Sequence, residues 1–337
     1  ERGVFILMIL TFFTGGALLL FAFRASALEA KGVFSMVSRE SALLVNNVLL
    51  AVACFVVFTG TMWPLLAEMF FERKLSVGPP FFNAAFTPFM VLLGLLLPVG
   101  SAMPWKRASI ARSLKPLRYV FVLAIALGGL AYAIQSGRSL LGPLGLFLGS
   151  WVVMGAVMDL WGRTGRGKDR FGRLTRLPRA DWGKMMAHAG LGITMAGVAG
   201  ITAWSTDDIR AVKLGESYDD VTRQQGPNYM ATIGSVTLFE DGKEISQLRP
   251  EKRFYPVAQM PTTEAAIDYN LARDVYVVIG DEQDAGGWVV RTYIKPLTNW
   301  IWIGCGLMAL GGLMSLTDRR YRVAAGAAKS ARTVPAE

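Results

Sequence analysis

The sequence predicts an α-helical polytopic membrane protein with about seven transmembrane helices and a small β-rich domain inserted before the last of them. Three observations carry that expectation. Hydrophobic residues make up 53% of the 337 and charged residues only 18%, where a soluble globule carries about 25% charged residues. The apolar residues fall in blocks of about 20, the length that crosses a hydrocarbon core roughly 30 Å thick. One stretch, 205–299, is polar and cannot be embedded. Such a chain is neither a soluble enzyme nor a disordered protein nor a disulfide scaffold.

Taken in order, the expected spans are 4–23, 42–63, 84–103, 119–134, 140–160, 185–204 and 300–316. The first follows directly on Glu1-Arg2-Gly3, with no initiator Met, the start expected of a piece of a longer protein. The second opens after Glu40 and Ser41 and carries Asn46 and Asn47, polar residues suited to bridging helices in lipid. It is expected to stop at Trp63-Pro64, leaving Glu68 near water at the outer edge. Between the second and third spans, Lys74-Leu-Ser-Val-Gly-Pro-Pro-Phe-Phe-Asn83 reads as a proline-stiffened loop with the look of a lid. Prolines at 64, 98 and 143 are placed near helix ends. Cys54 and Cys305 sit inside apolar stretches and are expected to be small buried packing residues.

Orientation follows from Lys and Arg. Alternate connections hold three basic residues (Arg24, Lys31, Arg39), five (Lys106 to Arg118), eight (Arg163 to Lys184) and five (Arg319 to Arg332). The opposite short loops hold only Arg73, Lys74 and Arg138. The basic side is expected to be cytoplasmic, which puts the N-terminus and the polar insert outside and the C-terminus inside. The predicted organisation is therefore 1–204 (six helices with basic cytoplasmic loops), 205–299 (the β-rich domain) and 300–337 (the last helix and a basic tail). The net charge of +10 does not point to nucleic acid, because the insert itself carries ten basic and fifteen acidic residues. The positive charge suits anionic membrane lipids instead. Trp105, Trp161 and Trp182 mark one interface and Trp63, Trp204, Trp300 and Trp302 the other, since indole prefers that depth.

Within the insert, Ala231-Thr-Ile-Gly-Ser-Val-Thr-Leu-Phe239 partly alternates, Asp241-Gly242 signals a hairpin, and 244–254 is its return strand. A second pair, 274–280 and 288–294, brackets the turn-rich 281–287. About four short strands suggest a small barrel or sandwich. No P-loop, paired-carboxylate motif or CxxC lies in it, so the insert by itself reads as a docking module.

The chain has one histidine, His188, in Lys184-Met-Met-Ala-His-Ala-Gly-Leu-Gly192. An ionisable residue inside a spanning helix is costly and marks a candidate site. On its i+4 row follow Gly192, Ala196 and Gly200, a shallow groove of small residues. Two readings stand side by side. One is a packing face in which His188 bonds a neighbouring helix or reaches for the interface. The other is an axial ligand to haem iron, with Gly192 and Ala196 forming the groove beside a flat macrocycle.

Several stretches resemble a known family. Ser38-Arg-Glu-Ser-Ala-Leu-Leu-Val-Asn-Asn47, Gly60-Thr-Met-Trp-Pro64, Leu75-Ser-Val-Gly-Pro-Pro-Phe-Phe-Asn83 and Met186-Ala-His-Ala-Gly190 are similar to the cytochrome c-type biogenesis family CcmF. So are Pro261-Thr-Thr-Glu-Ala-Ala-Ile267, Arg273-Asp-Val-Tyr-Val277 and the last helix, entered through Trp300-Ile-Trp302. The matches run in order to about residue 320 and correspond to the family's C-terminal half. The resemblance implies a bacterial inner-membrane haem lyase component with a periplasmic β-rich domain. Such a component accepts haem from the chaperone CcmE and acts with the thiol protein CcmH. It joins haem to apocytochrome c through thioether bonds. It further implies a b-type haem held between two membrane histidines and reduced from quinol. His188 resembles the more C-terminal of the two, so its mate is expected in the N-terminal half, with the family's tryptophan-rich segment and external histidines. The alternative expectation is a membrane scaffold or haem transporter component whose outer domain docks partners.

Overall fold

Every apolar block becomes a helix. In the computed structural model, which describes residues 2–25, 35–135, 139–165, 167–212, 220–240, 242–283 and 287–318, the apolar helices are α1 (Arg2–Arg24), α2 (Arg39–Phe71), α3 (Pro79–Ala102), α5 (Arg118–Ile134), α6 (Leu141–Arg163), α8 (Arg179–Trp204) and α9 (Thr298–Leu316). Two short helices, α4 (Ile110–Leu114) and α7 (Arg170–Thr175), lie in the basic connections, where the sequence reading had loops. α2, α3, α6, α8 and α9 are long and apolar enough to cross a membrane, while Met8–Arg24 and Arg118–Ile134 are shorter apolar helices. The chain is a polytopic membrane protein with an inserted β domain. Lys31, Arg138, Asp241, the middle of the 281–287 turn and the tail from Arg319 to Arg332 fall outside the described residues.

Two boundaries differ from the expectation around the 74–83 loop. α2 does not end at Trp63 but runs on to Phe71, with Pro64 inside it. Proline removes one helical hydrogen bond and crowds the carbonyl four residues back, yet the segment beyond it is still apolar and continues as helix. It stops at Glu72, a left-handed residue whose amide donates to the Ala67 carbonyl. Pro79 and Pro80, read as part of a lid, instead occupy the first positions of α3. Proline suits that place because its missing N–H has no intrahelical partner there. Phe81 and Phe82 then close on α2 at Gly60, where a Cβ would come within 2.6 Å of the Phe81 ring.

α8 is the centre of the bundle. Gly183, Gly190 and Gly197 repeat every seven residues and face α9. A Cβ on Gly190 would lie 2.5 Å from the Gly304 carbonyl oxygen, and one on Gly311 would lie 2.5 Å from that of Gly183. The opposite face of α8 meets α6: a Cβ on Gly192 would lie 2.6 Å from the Gly149 oxygen, and one on Gly149 would lie 3.1 Å from the Ala196 Cβ. Without side chains between them the backbones approach closely, which lets dispersion contribute to holding helices together in lipid. Two cysteines expected in such contacts, Cys54 and Cys305, are exposed instead, on outer helix faces. α1 stands apart, with Phe5, Phe12, Phe13 and Phe23 all exposed.

Between α8 and α9 the described residues of the insert form nine strands where about four were expected: β1 (Thr206–Val212), β2 (Asp220–Gln225), β3 (Met230–Glu240), β4 (Lys243–Leu248), β5 (Glu251–Tyr255), β6 (Met260–Glu264), β7 (Ala266–Tyr269), β8 (Arg273–Glu282) and β9 (Trp288–Pro296). They build one sheet in the order β1-β9-β8-β7 and another in the order β2-β3-β5-β6, with β4 also on β3. The expected return strand is broken at Arg249-Pro250 into β4 and β5, which pair with successive parts of β3. Pro250 still accepts from the Gly234 amide at 3.0 Å, so the break loses little pairing. Val275, Val277, Ile279, Trp288 and Val290 from one sheet and Val236 and Leu248 from the other form the core. The alternating burial along β8 follows from the period of two in a strand with one face inward.

β1 leaves α8 after Ser205 and β9 reaches α9 through Leu297, and the two strands pair antiparallel from Thr206↔Ile294 to Val212↔Trp288. Leu297 is left-handed (φ 59°) and its amide donates to the Ala272 carbonyl at 2.9 Å. The first turn of α9 is held to the β7–β8 turn by Trp300 Nε1 donating to Leu271 O (2.9 Å) and to the start of β8 by Asn299 Nδ2 donating to Asp274 Oδ1 (2.8 Å).

Candidate functional site

His188 lies nine residues into α8, about 13 Å along the axis at 1.5 Å per residue. The sequence reading placed it one turn inside, because it began that span at residue 185. The helix starts earlier, at Arg179, and its first turns carry Asp181 and Lys184. The half-buried imidazole opens into a cavity of about 700 Å³ bounded by α2, α3, α8 and the ends of α6 and α9. No described residue hydrogen-bonds its ring. Leu93 and Leu97 of α3 provide apolar wall, Asn46 of α2 a polar spot, and Arg39, Arg163, Lys184 and Trp105 the rim on the basic side.

Charged side chains at that rim are organised. Asp159 of α6 pairs with Lys184 of α8 at 2.5 Å and with Arg163 at 3.3 Å, and Arg163 reaches Asp181 at 2.6 Å. Lys184 Nζ also meets Ser101 Oγ of α3 at 3.2 Å. Unpaired charges at such depth would be expensive, and the pairing ties α3, α6 and α8 together. Arg39 is placed by the start of α2. Ser38 caps that helix, accepting from the Ser41 amide at 3.2 Å, and is fully buried. The Arg39 guanidinium donates to the Ser101 carbonyl at 2.9 Å and stacks 5.2 Å from the Trp105 ring. Glu40 fixes the following segment by accepting from the Lys106 amide at 2.9 Å.

The other expected site residues are placed differently. Gly192 and Ala196 do not line the cavity: both are buried against α6, whose backbone at Gly149 fills the groove in which a macrocycle was expected. The i+4 row of His188 is therefore a packing seam, and only its first member faces open space. Asn46 bonds Asn47 of its own helix at 3.4 Å and not another helix. Sequence reasoning missed Asp159, Arg163, Asp181, Lys184 and Arg39. Asp159 had a readable signal, a carboxylate inside the apolar 140–160 block. Arg39 had none, because a cation at a helix start looks like any basic loop.

For haem, the cavity passes the elementary tests. Its volume lies in the ~300–1,000 Å³ range of ligand pockets, its wall on the α3 side is apolar (Leu93, Leu96 and Leu97), and one imidazole opens into it. His188 is the chain's only histidine, so ligation by two imidazoles would need the second from outside this chain. Among the described residues no group of three His, Cys, Asp or Glu is arranged to hold a bare metal ion.

Comparison with known proteins finds relatives over nearly the whole chain. Residues 203–296 match the family described as CcmF C-terminal beta-sandwich. The chain is 57% identical to cytochrome c-type biogenesis protein ccl1 of Rhodobacter capsulatus over 98% of its own length and 52% of the relative's. It is 37% identical to cytochrome c-type biogenesis protein CcmF of Escherichia coli over 95% of this chain and 50% of that one. A solved structure, Cytochrome c Heme Lyase CcmF, superimposes with a TM-score of 0.64 at 25% identity, covering 84% of this chain and 46% of the other. The chain spans about half the length of the curated relatives it matches.

Proposed function

Because the chain belongs to the CcmF family of cytochrome c-type biogenesis proteins, we propose that it contributes one half of a haem lyase, with His188 as one axial ligand of a b-type haem in the membrane. The observation that carries this reading is that the only imidazole in the chain opens into the helix-lined cavity with the cationic rim. The second ligand is assigned to the N-terminal half of the complete protein. In this reading the sandwich faces the bacterial periplasm and the basic rim the cytoplasm, as the Lys and Arg distribution requires.

Haem, when bound, supplies one-electron transfer, and the proposed electron source is quinol. The chain's own part is positional. His188 would hold the haem iron. The Gly192–Gly149 and Gly190–Gly304 contacts clamp α8 from both faces, so the imidazole does not drift. Leu93 and Leu97 exclude water from the apolar side of the cavity, which disfavours a charge gain on the iron and so tunes its potential. The covalent step, thioether attachment of haem from CcmE to apocytochrome c with a CcmH-type thiol protein, belongs to the whole assembly.

The test is optical. In the full-length protein, His188→Ala should abolish or convert the low-spin b-type spectrum, and exogenous imidazole should restore part of it. An unchanged spectrum would remove His188 from the iron. A haem that quinol cannot reduce would contradict the electron source. A second reading, a scaffold that docks partners, has one observation in its favour. The sandwich carries a groove of about 770 Å³ lined by Arg223, Arg253, Phe254 and Trp288, a mixture of cations and aromatics common at interfaces.

A further inference from the structure

Three cations line the cavity below His188, and their partners are unequal. Arg163 is held by both Asp159 and Asp181, and Lys184 by Asp159. Arg39 has no carboxylate among the described residues: its contacts are a backbone carbonyl and the face of Trp105. Three cations thus share two carboxylates, which leaves a surplus positive charge at the mouth of a cavity whose deeper wall is leucine. A cation half-buried at this depth is stabilised by an anion. A guanidinium also presents a planar fork of donors that matches a carboxylate better than an ammonium does. Lys184 lies one turn before His188, about 6 Å along the helix, so rim and ligand belong to the same opening.

Resting on the haem reading above, we propose that Arg39 binds a propionate of the macrocycle, seating it with its carboxylate edge at the basic rim and its apolar edge against α3. Lys184, already paired with Asp159, borders the same edge, and Trp105 holds the guanidinium in place by stacking. Orientation then follows from charge: the reversed macrocycle would bury two carboxylates beside Leu93 and leave Arg39 uncompensated.

The experiment uses the full-length protein in nanodiscs, stripped of haem and titrated with iron protoporphyrin IX or with its dimethyl ester, which keeps the iron and ring but has no carboxylates. The wild type should bind the free acid roughly tenfold more tightly than the ester, the size of one hydrogen bond to a charged group. Arg39→Gln should remove that preference by weakening the free acid alone, and Arg39→Lys should restore part of it. The low-spin spectrum from His188 should persist in both variants. Equal binding of acid and ester by the wild type, or an undiminished preference in Arg39→Gln, would overturn the assignment of Arg39 while leaving His188 on the iron. Binding whose spectrum is insensitive to His188→Ala would overturn the haem reading itself and this inference with it.

Discussion

α8 and α1 are both apolar helices of more than 20 residues, yet one is fixed on two faces and the other touches little. α8 has glycine where it meets α6 and glycine again where it meets α9, and at both seams an added Cβ would strike backbone. α1 has Gly15 and Gly16, near which an added Cβ would meet nothing. α8 is richer in small residues than α1, and their spacing is what turns them into seams. A seven-residue repeat puts Gly183, Gly190 and Gly197 on one stripe, whereas adjacent glycines point in different directions around the helix.

The same substitution on the two helices should therefore split. Gly190→Leu places a side chain against the Gly304 carbonyl and the Met308 amide, atoms that move only if α9 moves. It should cost about 4 kcal/mol or more, read as loss of monodisperse protein after detergent extraction. Gly192→Ala adds one methyl 2.6 Å from the Gly149 oxygen and should cost about 2 kcal/mol, visible as a lower Tm with the haem spectrum retained.

A smaller effect is expected at the mounting of the sandwich. Burial raises the Asp274 carboxyl above its ordinary range, while the Tyr276 hydroxyl bond opposes the shift. The folded state then takes up this proton before the unfolded chain does. The contribution is full below the unfolded value and is lost as pH rises through the folded value. Thermal melts should accordingly show a slight gain in Tm on acidification through that window, and Asp274→Asn should remove it. Smallest of all, Gly15→Leu should stay within about 0.5 kcal/mol of the parent, measured by the same melt. If it destabilises as strongly as Gly190→Leu, the contrast between the two helices is wrong.

The spans were legible because hydropathy and length are properties of single segments. So were β3, β8 and β9, which alternate or carry turn signals of their own. β1, β2, β6 and β7 were not, since strands such as Thr206–Val212 and Met260–Glu264 are mostly polar and owe their existence to partners far along the chain. His188 could be singled out from its rarity alone. What surrounds it could not, because the cavity is bounded by helices that meet only in three dimensions. The small-residue row was visible, but its neighbour was not: Gly192 and Ala196 suit a flat ligand or a second helix equally well, and α6 is what occupies that face.

Only Ser205 and Leu297 separate the paired strands β1 and β9 from the clamped helices α8 and α9. Two antiparallel legs thus run without a slack linker from the sheet into the helix pair, and one of them, α8, bears His188. A partner that tilts the sandwich would apply torque to the imidazole some distance below it. Load on the sheet and the geometry of the lone ring would in this way be joined through a continuous strand–helix pair.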